Sequence, residues 1–303
     1  MLKYIGKKVL IAIATVFVLA TATFFLMKLI PGDPFLNDKI PVAVQDKQRA
    51  FYGLDKPVPQ QYLTYMNNLL HGDLGYSIKK TGKTVVDIIK EAFPVSAKLG
   101  LISLLFAEAV GLFFGILCAQ FRGKWPDYLL MVVAVLGIAL PSMVLGPILR
   151  MIFGVKLGIL PVTGWGKPNQ IILPALVLGL GTVAGNTRNM RAMLAITTQD
   201  YVKTARAKGL SPIRVVLKHQ FKNSLVPIIP NLGVQIAGVL MGSFVVESMF
   251  LIPGLGRYFV DSVTNLDYPL IMGLTVFYGA FLVTMNLIVD VLYGLIDPRI
   301  RVK

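Results

Sequence analysis

Cysteine is almost missing from this chain of 303 residues: Cys118 stands alone, so a single copy can build neither a disulfide nor a thiolate metal cluster. Its place inside an apolar run fits a small packing residue. Histidine is nearly as scarce, and His71 and His219 fall on opposite sides of the expected membrane, which removes a histidine-pair metal site. Charge is thin too. Only 15% of residues are charged, and the 15 acidic residues are half as many as the 30 basic ones, for a net charge of +15. Patterns of phosphate and dinucleotide binding are also absent. Thr81-Gly82-Lys83-Thr84 has Ser77 where a phosphate loop needs its first glycine, and Gly179, Gly181 and Gly185 have the wrong spacing for a dinucleotide fingerprint. Asp290 is a lone acid in the last apolar run, so a paired-aspartate protease site is excluded.

What remains is apolar. Hydrophobic residues make up 55% of the chain, and the mean hydropathy is +0.70. Crossing about 30 Å of hydrocarbon takes roughly 20 apolar residues. Runs near 9–30, 99–120, 128–153, 171–193, 225–249 and 270–295 meet that requirement. The fold class is therefore all-α, a polytopic membrane protein with six transmembrane helices. The first run is too long for a cleaved signal and lacks a small-residue cleavage pattern. The excess of positive charge follows the positive-inside rule rather than marking a nucleic-acid site. With the N-terminus inside, Lys3, Lys7, Lys8, Arg122, Lys124, eight basic residues from Arg188 to Lys222, and Arg299, Arg301 and Lys303 are cytoplasmic. The two short outer loops carry only Lys156, Lys167 and Arg257.

This divides the chain into 1–30 (cytoplasmic N-terminus and first span), 31–98 (extracytoplasmic segment), a five-helix core at 99–295 holding a cytoplasmic loop at 194–224, and a tail at 296–303. The outer segment has a Gly72-Asp73-Leu74-Gly75 turn, and Thr84–Glu91 has helical spacing with Val85, Ile88 and Ile89 on one side. Pro141, Pro227 and Pro230 predict broken hydrogen-bond ladders inside spans. Small pairs at Gly111/Gly115, Gly181/Gly185 and Gly238/Gly242 predict close helix contacts. Ionisable residues within spans are costly and by default functional, so Glu108 and Glu247 either face a water-filled path or cap a partner helix. Arg150, deeper in its span, is expected to face a polar vestibule or a partner. Arg257, with Asp261 and Asp267 in the outer loop Ile252–Pro269, either meets cargo and an outer partner or forms a plain surface turn.

The most distinctive stretch is polar: Asp200-Tyr201-Val202-Lys203-Thr204-Ala205-Arg206-Ala207-Lys208-Gly209-Leu210-Ser211-Pro212. Asp200 is a good N-cap, Gly209 suits the left-handed position that ends a helix, and Ser211-Pro212 restarts one. Two turns of helix, a hinge and a fresh helix are too short for a core element. On one side of a membrane they form a docking knob.

Asp200–Gly209 resembles the EAA loop of permease subunits in binding-protein-dependent ABC importers, in the form typical of peptide systems. The resemblance continues through Leu29-Ile30-Pro31-Gly32-Asp33-Pro34, Tyr52-Gly53-Leu54-Asp55-Lys56-Pro57 and Gly72-Asp73-Leu74-Gly75-Tyr76-Ser77. Leu140-Pro141-Ser142, Lys156-Leu157-Gly158-Ile159-Leu160-Pro161, Glu247, Ile252-Pro253-Gly254-Leu255-Gly256-Arg257, Asp267-Tyr268-Pro269 and Leu295-Ile296-Asp297-Pro298-Arg299 extend it to the end. Together they resemble the first (B-type) permease of oligopeptide and dipeptide importers. The resemblance implies a type I ABC importer permease fold in the inner membrane of a prokaryote, with no catalytic site, cofactor or metal. It implies as partners a second homologous permease, two cytoplasmic ATP-binding subunits, an extracytoplasmic peptide-binding protein, membrane lipid and a peptide cargo, and no nucleic acid. Contact with the ATPase falls to Asp200, Tyr201, Thr204, Ala205, Arg206, Ala207, Lys208 and Gly209; Glu108, Glu247 and Arg257 are the candidates for the translocation pathway. A secondary transporter would instead need an ion relay within the spans, for which only Glu108 and Glu247 offer groups.

The charge asymmetry fixes a topology that single-cysteine labelling in a Cys118→Ala background tests. Cysteines placed in 31–98 should react with an impermeant reagent from outside and one at Arg206 should not; outside labelling at 206 overturns the orientation.

Overall fold

The computed structural model describes residues 2–31, 34–35, 41–196, 200–216, 220–221, 235–236 and 238–296. Among them there is no strand beyond one isolated bridge, Tyr76 to Thr84, and every element is helical. Four helices are long and apolar enough to cross a membrane, and up to six if each of two bent pairs forms one span. Of the expected run 225–249, residues 225–234 and 237 lie outside the described residues, as does most of the tail.

Helix α1 (Leu2–Leu29) is apolar on all sides. It lies along the last span, α12 (Tyr268–Ile296), where Gly279 leaves room for Leu19. Leu10, Ile13, Phe17 and Leu26 point outward. Its outer end carries a collar of two short helices, α2 (Val42–Phe51) and α3 (Val58–Leu70). Phe24 and Phe25 of α1 interleave with Tyr62 and Tyr65 of α3 at ring separations of 5.4–5.6 Å. The Tyr62 hydroxyl meets Thr21 at 2.9 Å, and Lys28 donates to Gln61. Burial, with the nearby Tyr62, pushes the Tyr65 phenol up to about 12, so it stays neutral at any physiological pH.

Helix α4 (Val85–Gln120) has 36 residues, about 54 Å at 1.5 Å per residue. That exceeds the bilayer, and the helix runs through 98/99 without a break: the turns before that point and those after it are one rod. Thr84 and Asp87 form a reciprocal capping box at its start. Val85, Ile88 and Ile89 are buried against Leu255, Leu270 and Leu274. Helix α7 (Asn169–Ile196) is α4's main partner. Gly111 and Gly115 create that seam: a Cβ at 111 would lie 2.8 Å from the Asn186 Cβ, and one at 115 would lie 2.4 Å from the Met190 Cβ. Gly181 and Gly185 have no such neighbours, so only one of these two expected pairs is a packing device.

The expected third span is broken. Helix α5 (Trp125–Ala139) turns through 113° into α6 (Ser142–Leu149) and a π-helical turn, Arg150–Lys156. Pro141 explains this, because a proline drives the residue before it out of the helical region. Leu140 is accordingly extended at ψ 115°. The Gly238–Phe250 helix bends by 65° into α11 (Leu255–Thr264); its C-terminal part, Phe244–Phe250, is α10. A further short unit, α8 (Asp200–Ala207) with α9 (Pro212–Val215), follows α7.

Over-packing a close seam costs about 1–3 kcal/mol. Gly115→Ala should therefore lower the unfolding temperature of the detergent-solubilised protein, while Gly185→Ala, facing open space, should leave it unchanged. Equal behaviour of the two would show that the α4–α7 seam does not depend on Gly115.

Candidate functional site

The polar unit after α7 has its own small core. Val202 and Ala205 of α8 and Val215 of α9 are buried together, with Leu210 packed over them. Its closure is a Schellman motif. Gly209 is left-handed at φ 74°, and Leu210 N–H reaches back to the Ala205 carbonyl at 3.3 Å. Lys208 N–H donates to the Thr204 carbonyl at 3.0 Å. Ser211 then starts α9, its carbonyl accepting from Val215 N–H at 3.0 Å. Thr204, Ala207, Lys208 and Gly209 are exposed. Ala205 is not, since it serves the inner core of the unit. The side chains of Asp200, Tyr201 and Arg206 lie outside the described residues.

Just before this unit, two spans are fastened by a charged fork. Arg191 of α7 donates through Nε and Nη2 to the two carboxylate oxygens of Asp127 on α5, both at 2.7 Å. Asp127 is fully buried and also accepts from Gly123 N–H at 3.0 Å. A carboxylate in the first turn of α5 complements that helix's dipole as well.

Glu247 occupies the other break. It is fully buried, and Oε2 accepts from Gly256 N–H at 2.8 Å and Arg257 N–H at 3.3 Å. Ser96 of α4 meets the same carboxylate and accepts from Leu255 N–H at 2.8 Å. Gly254 at the N-cap has no side chain to offer, so α4 and α10 supply what an N-cap would. The glycines follow from this. A Cβ at Gly254 would lie 2.4 Å from Glu247 Oε2, and one at Gly242 would lie 2.3 Å from Oε1. Glu247 Oε2 thus serves the backbone of the second bent pair, while Oε1 is buried without a hydrogen-bond partner. Arg257 is half-exposed on α11, its Nε 3.8 Å from Asp261. Asp267 is not a cargo ligand in this arrangement: it is buried and accepts from the Ser77 hydroxyl and from Ile78 and Lys79 N–H at 3.1 and 3.2 Å. It ties the outer segment to the start of α12 and, with burial, raises the Tyr52 phenol above its ordinary value.

Glu108 lies mid-span on α4 beside Asn186 of α7. Its Oε1 and the Asn186 Nδ2 are both buried without a hydrogen-bond partner. Arg150 donates to the Met249 carbonyl at 2.9 Å with its guanidinium over the Phe250 ring, so it holds the two broken spans together rather than facing a vestibule. Lys83 of the phosphate-loop near-miss is held by Glu91 at 2.5 Å on the outer segment, a hydrogen bond that raises its pKa. Among the described residues no cluster of metal-ligating side chains occurs.

Two family models cover the chain: the binding-protein-dependent transport system inner membrane component matches residues 111–302, and the N-terminal component of such systems matches 1–100. The chain belongs to this family of inner-membrane permeases. The dipeptide transport system permease protein DppB of Bacillus subtilis is 43% identical over 303 residues, covering 99% of this chain and 98% of the relative. The oligopeptide transport system permease protein OppB of Haemophilus influenzae is 43% identical over 305 residues, covering 99% and 100%. OppB of Escherichia coli K12 is 40% identical over 306 residues with the same coverage. Among solved structures, a chain of the inward-facing MetNI methionine ABC transporter superposes with a TM-score of 0.51 at 16% identity, covering 67% of this chain and 95% of that one. That likeness supports the fold alone.

Sequence reading singled out Glu247 and the Ile252–Arg257 motif separately; the fold joins them. It overlooked the Asp127–Arg191 fork, whose members stand 64 residues apart. Leaving buried donors unpaired costs about 1–3 kcal/mol each. Glu247→Ala should therefore destabilise the purified protein by about 2 kcal/mol or more, and Glu247→Gln, which keeps an acceptor, by less. Chemical or thermal unfolding measures both, and an Ala variant as stable as the parent would remove Glu247 from the support of α11.

Proposed function

We propose that this chain is the first permease subunit of an ATP-driven peptide importer, lining half of the translocation path beside a second homologous permease. The observation that carries the reading is the α8–α9 unit. It has a core of its own, a glycine-closed end, and an exposed side where Thr204, Ala207, Lys208 and Gly209 offer small and polar contacts. A helix seated in a groove is an established recognition mode. In this reading α8 sits in a groove on one of two cytoplasmic ATP-binding subunits, with both termini of the chain on that same side.

Energy then enters mechanically. ATP-driven closure of the partners displaces α8, and α7, which leads into it, transmits the displacement to the bundle. Alternating access follows from rigid groups of helices tilting about a central site. An extracytoplasmic peptide-binding protein delivers cargo to the outer face. Arg257, with Asp261, offers charges to that protein or to the peptide termini, and the neighbouring Glu108 and Asn186 offer a polar step at mid-span. Glu247 acts indirectly, by holding α11 and hence Arg257. The cargo is assigned as peptide because relatives across nearly the whole chain are dipeptide and oligopeptide permeases.

Gly209 supplies the test. A side chain there meets nothing within 4 Å, so the penalty is purely conformational, about 1–2 kcal/mol for a left-handed residue. Gly209→Val should assemble with its partners yet transport poorly for each ATP hydrolysed, whereas Gly209→Asn should retain coupling, since asparagine tolerates this conformation. Peptide uptake and ATP hydrolysis measured on the reconstituted complex decide it. Normal uptake per ATP in the Val variant sinks the coupling role.

A further inference from the structure

Helix α5 is poorly embedded for a core element. Only Asp127 and Ala134 along its length are buried, and Val132, Val135, Leu136 and Ile138 face outward. Between it and the α4–α7 pair lies an apolar cavity of about 490 Å³, lined by Phe106, Val110, Phe113, Val133, Ala134 and Leu180. Two features fasten α5 to α7: a close approach at Gly137, where a Cβ would lie 3.1 Å from the Leu180 carbonyl oxygen, and the fork of Arg191 on Asp127, two bonds of 2.7 Å on a carboxylate without solvent access. Such a bidentate pair constrains direction as well as distance. At its far end α5 meets the 113° break at Leu140–Pro141. Arg191 lies near the end of α7, and α8 begins at Asp200.

We propose that the Asp127–Arg191 fork is the strut that passes motion of the α8–α9 knob into the broken α5–α6 span. The α4–α7 pair is one rigid body, locked by Gly111 and Gly115 against Val183, Asn186, Thr187 and Met190 and by Ser103 Oγ of α4 donating to the Ala175 carbonyl of α7 at 3.0 Å. Displacement of the knob, applied at the end of α7, tilts this body as a whole. The fork obliges the start of α5 to follow, the close contact of Gly137 with Leu180 supplies the point about which α5 turns, and the apolar cavity beside Val133 and Ala134 leaves room for the turn. The pivot converts this tilt into a change of angle at Pro141, deep in the membrane. Asp127 and Arg191 are positioning residues: they touch neither ATP nor cargo in this account. The strut rests on the reading of α8 as the ATPase-docking element.

The test uses the complete complex of permeases, ATPases and binding protein in proteoliposomes, comparing Asp127→Asn, Arg191→Lys and the exchange of Asp127→Arg with Arg191→Asp. Peptide uptake per ATP is the readout, alongside ATP hydrolysis alone and cross-linking of Ala207→Cys to an ATPase cysteine in a Cys118→Ala background. Lysine keeps the charge but not the two-pronged geometry, so both single variants should hydrolyse ATP and cross-link as the parent does. Their uptake per ATP should fall about tenfold, within the range of coupling between sites. The exchange should recover a substantial part. Unchanged uptake per ATP in both single variants overturns the strut while intact cross-linking leaves the docking reading standing. Parallel loss of hydrolysis, cross-linking and uptake, unrelieved by the exchange, also overturns it, since the fork is then only structural. Failure of the parent complex to cross-link from position 207 sinks the docking reading itself.

Discussion

Hydrocarbon offers no hydrogen bonds, and this one constraint organises the whole chain. An unbroken helix satisfies its own backbone, but a broken span strands several donors and acceptors at membrane depth, each costly if left bare. Two helix pairs here are sharply bent, and several of the charged and polar side chains buried in the bundle gather at the bends. Glu247 and Ser96 close the start of α11. Arg150 covers the exposed carbonyl of Met249. Glu247 and Arg150 thus make irregular backbone tolerable.

The straight helices have the opposite role. α4 and α7 share a glycine seam and form a body with little freedom, while the collar is pinned to α1 by aromatic rings and the following Ser77–Lys79 stretch to the start of α12 by Asp267. Stiff rods bounded by two hinges suit a device driven from outside. Close-packed interiors shift between discrete arrangements instead of deforming smoothly, so a displacement applied at α8 need not be large to matter at Pro141.

Much was legible in the residues. Gly209 had to be left-handed because a helix ended there and another began at Ser211-Pro212. Thr84 with Asp87 declared a helix start, and Pro141 declared a break. Other features were not legible. The continuity of α4 across 98/99 was hidden because its outer turns are amphipathic while its inner turns are uniformly apolar, so one rod carries two patterns. Gly181/Gly185 matched the small-residue spacing as well as Gly111/Gly115 did, yet only the latter meets a neighbour, because spacing states which residues share a face and not what faces them.

The sequence by itself determined the class of molecule, the long apolar helices α1, α4, α7 and α12 and the short α8–α9 unit, since each depends on local periodicity, capping and hydropathy within a dozen or two residues. Tertiary structure alone decided what the buried charges do. Asp127 meets Arg191, Glu247 meets Gly254 and Gly256, and Asp267 meets Ser77 only after the chain has folded back on itself. A carboxylate in a membrane announces that it must be paired, because an unpaired charge is too costly there; which partner pairs it is set by three-dimensional packing, to which local pattern is blind.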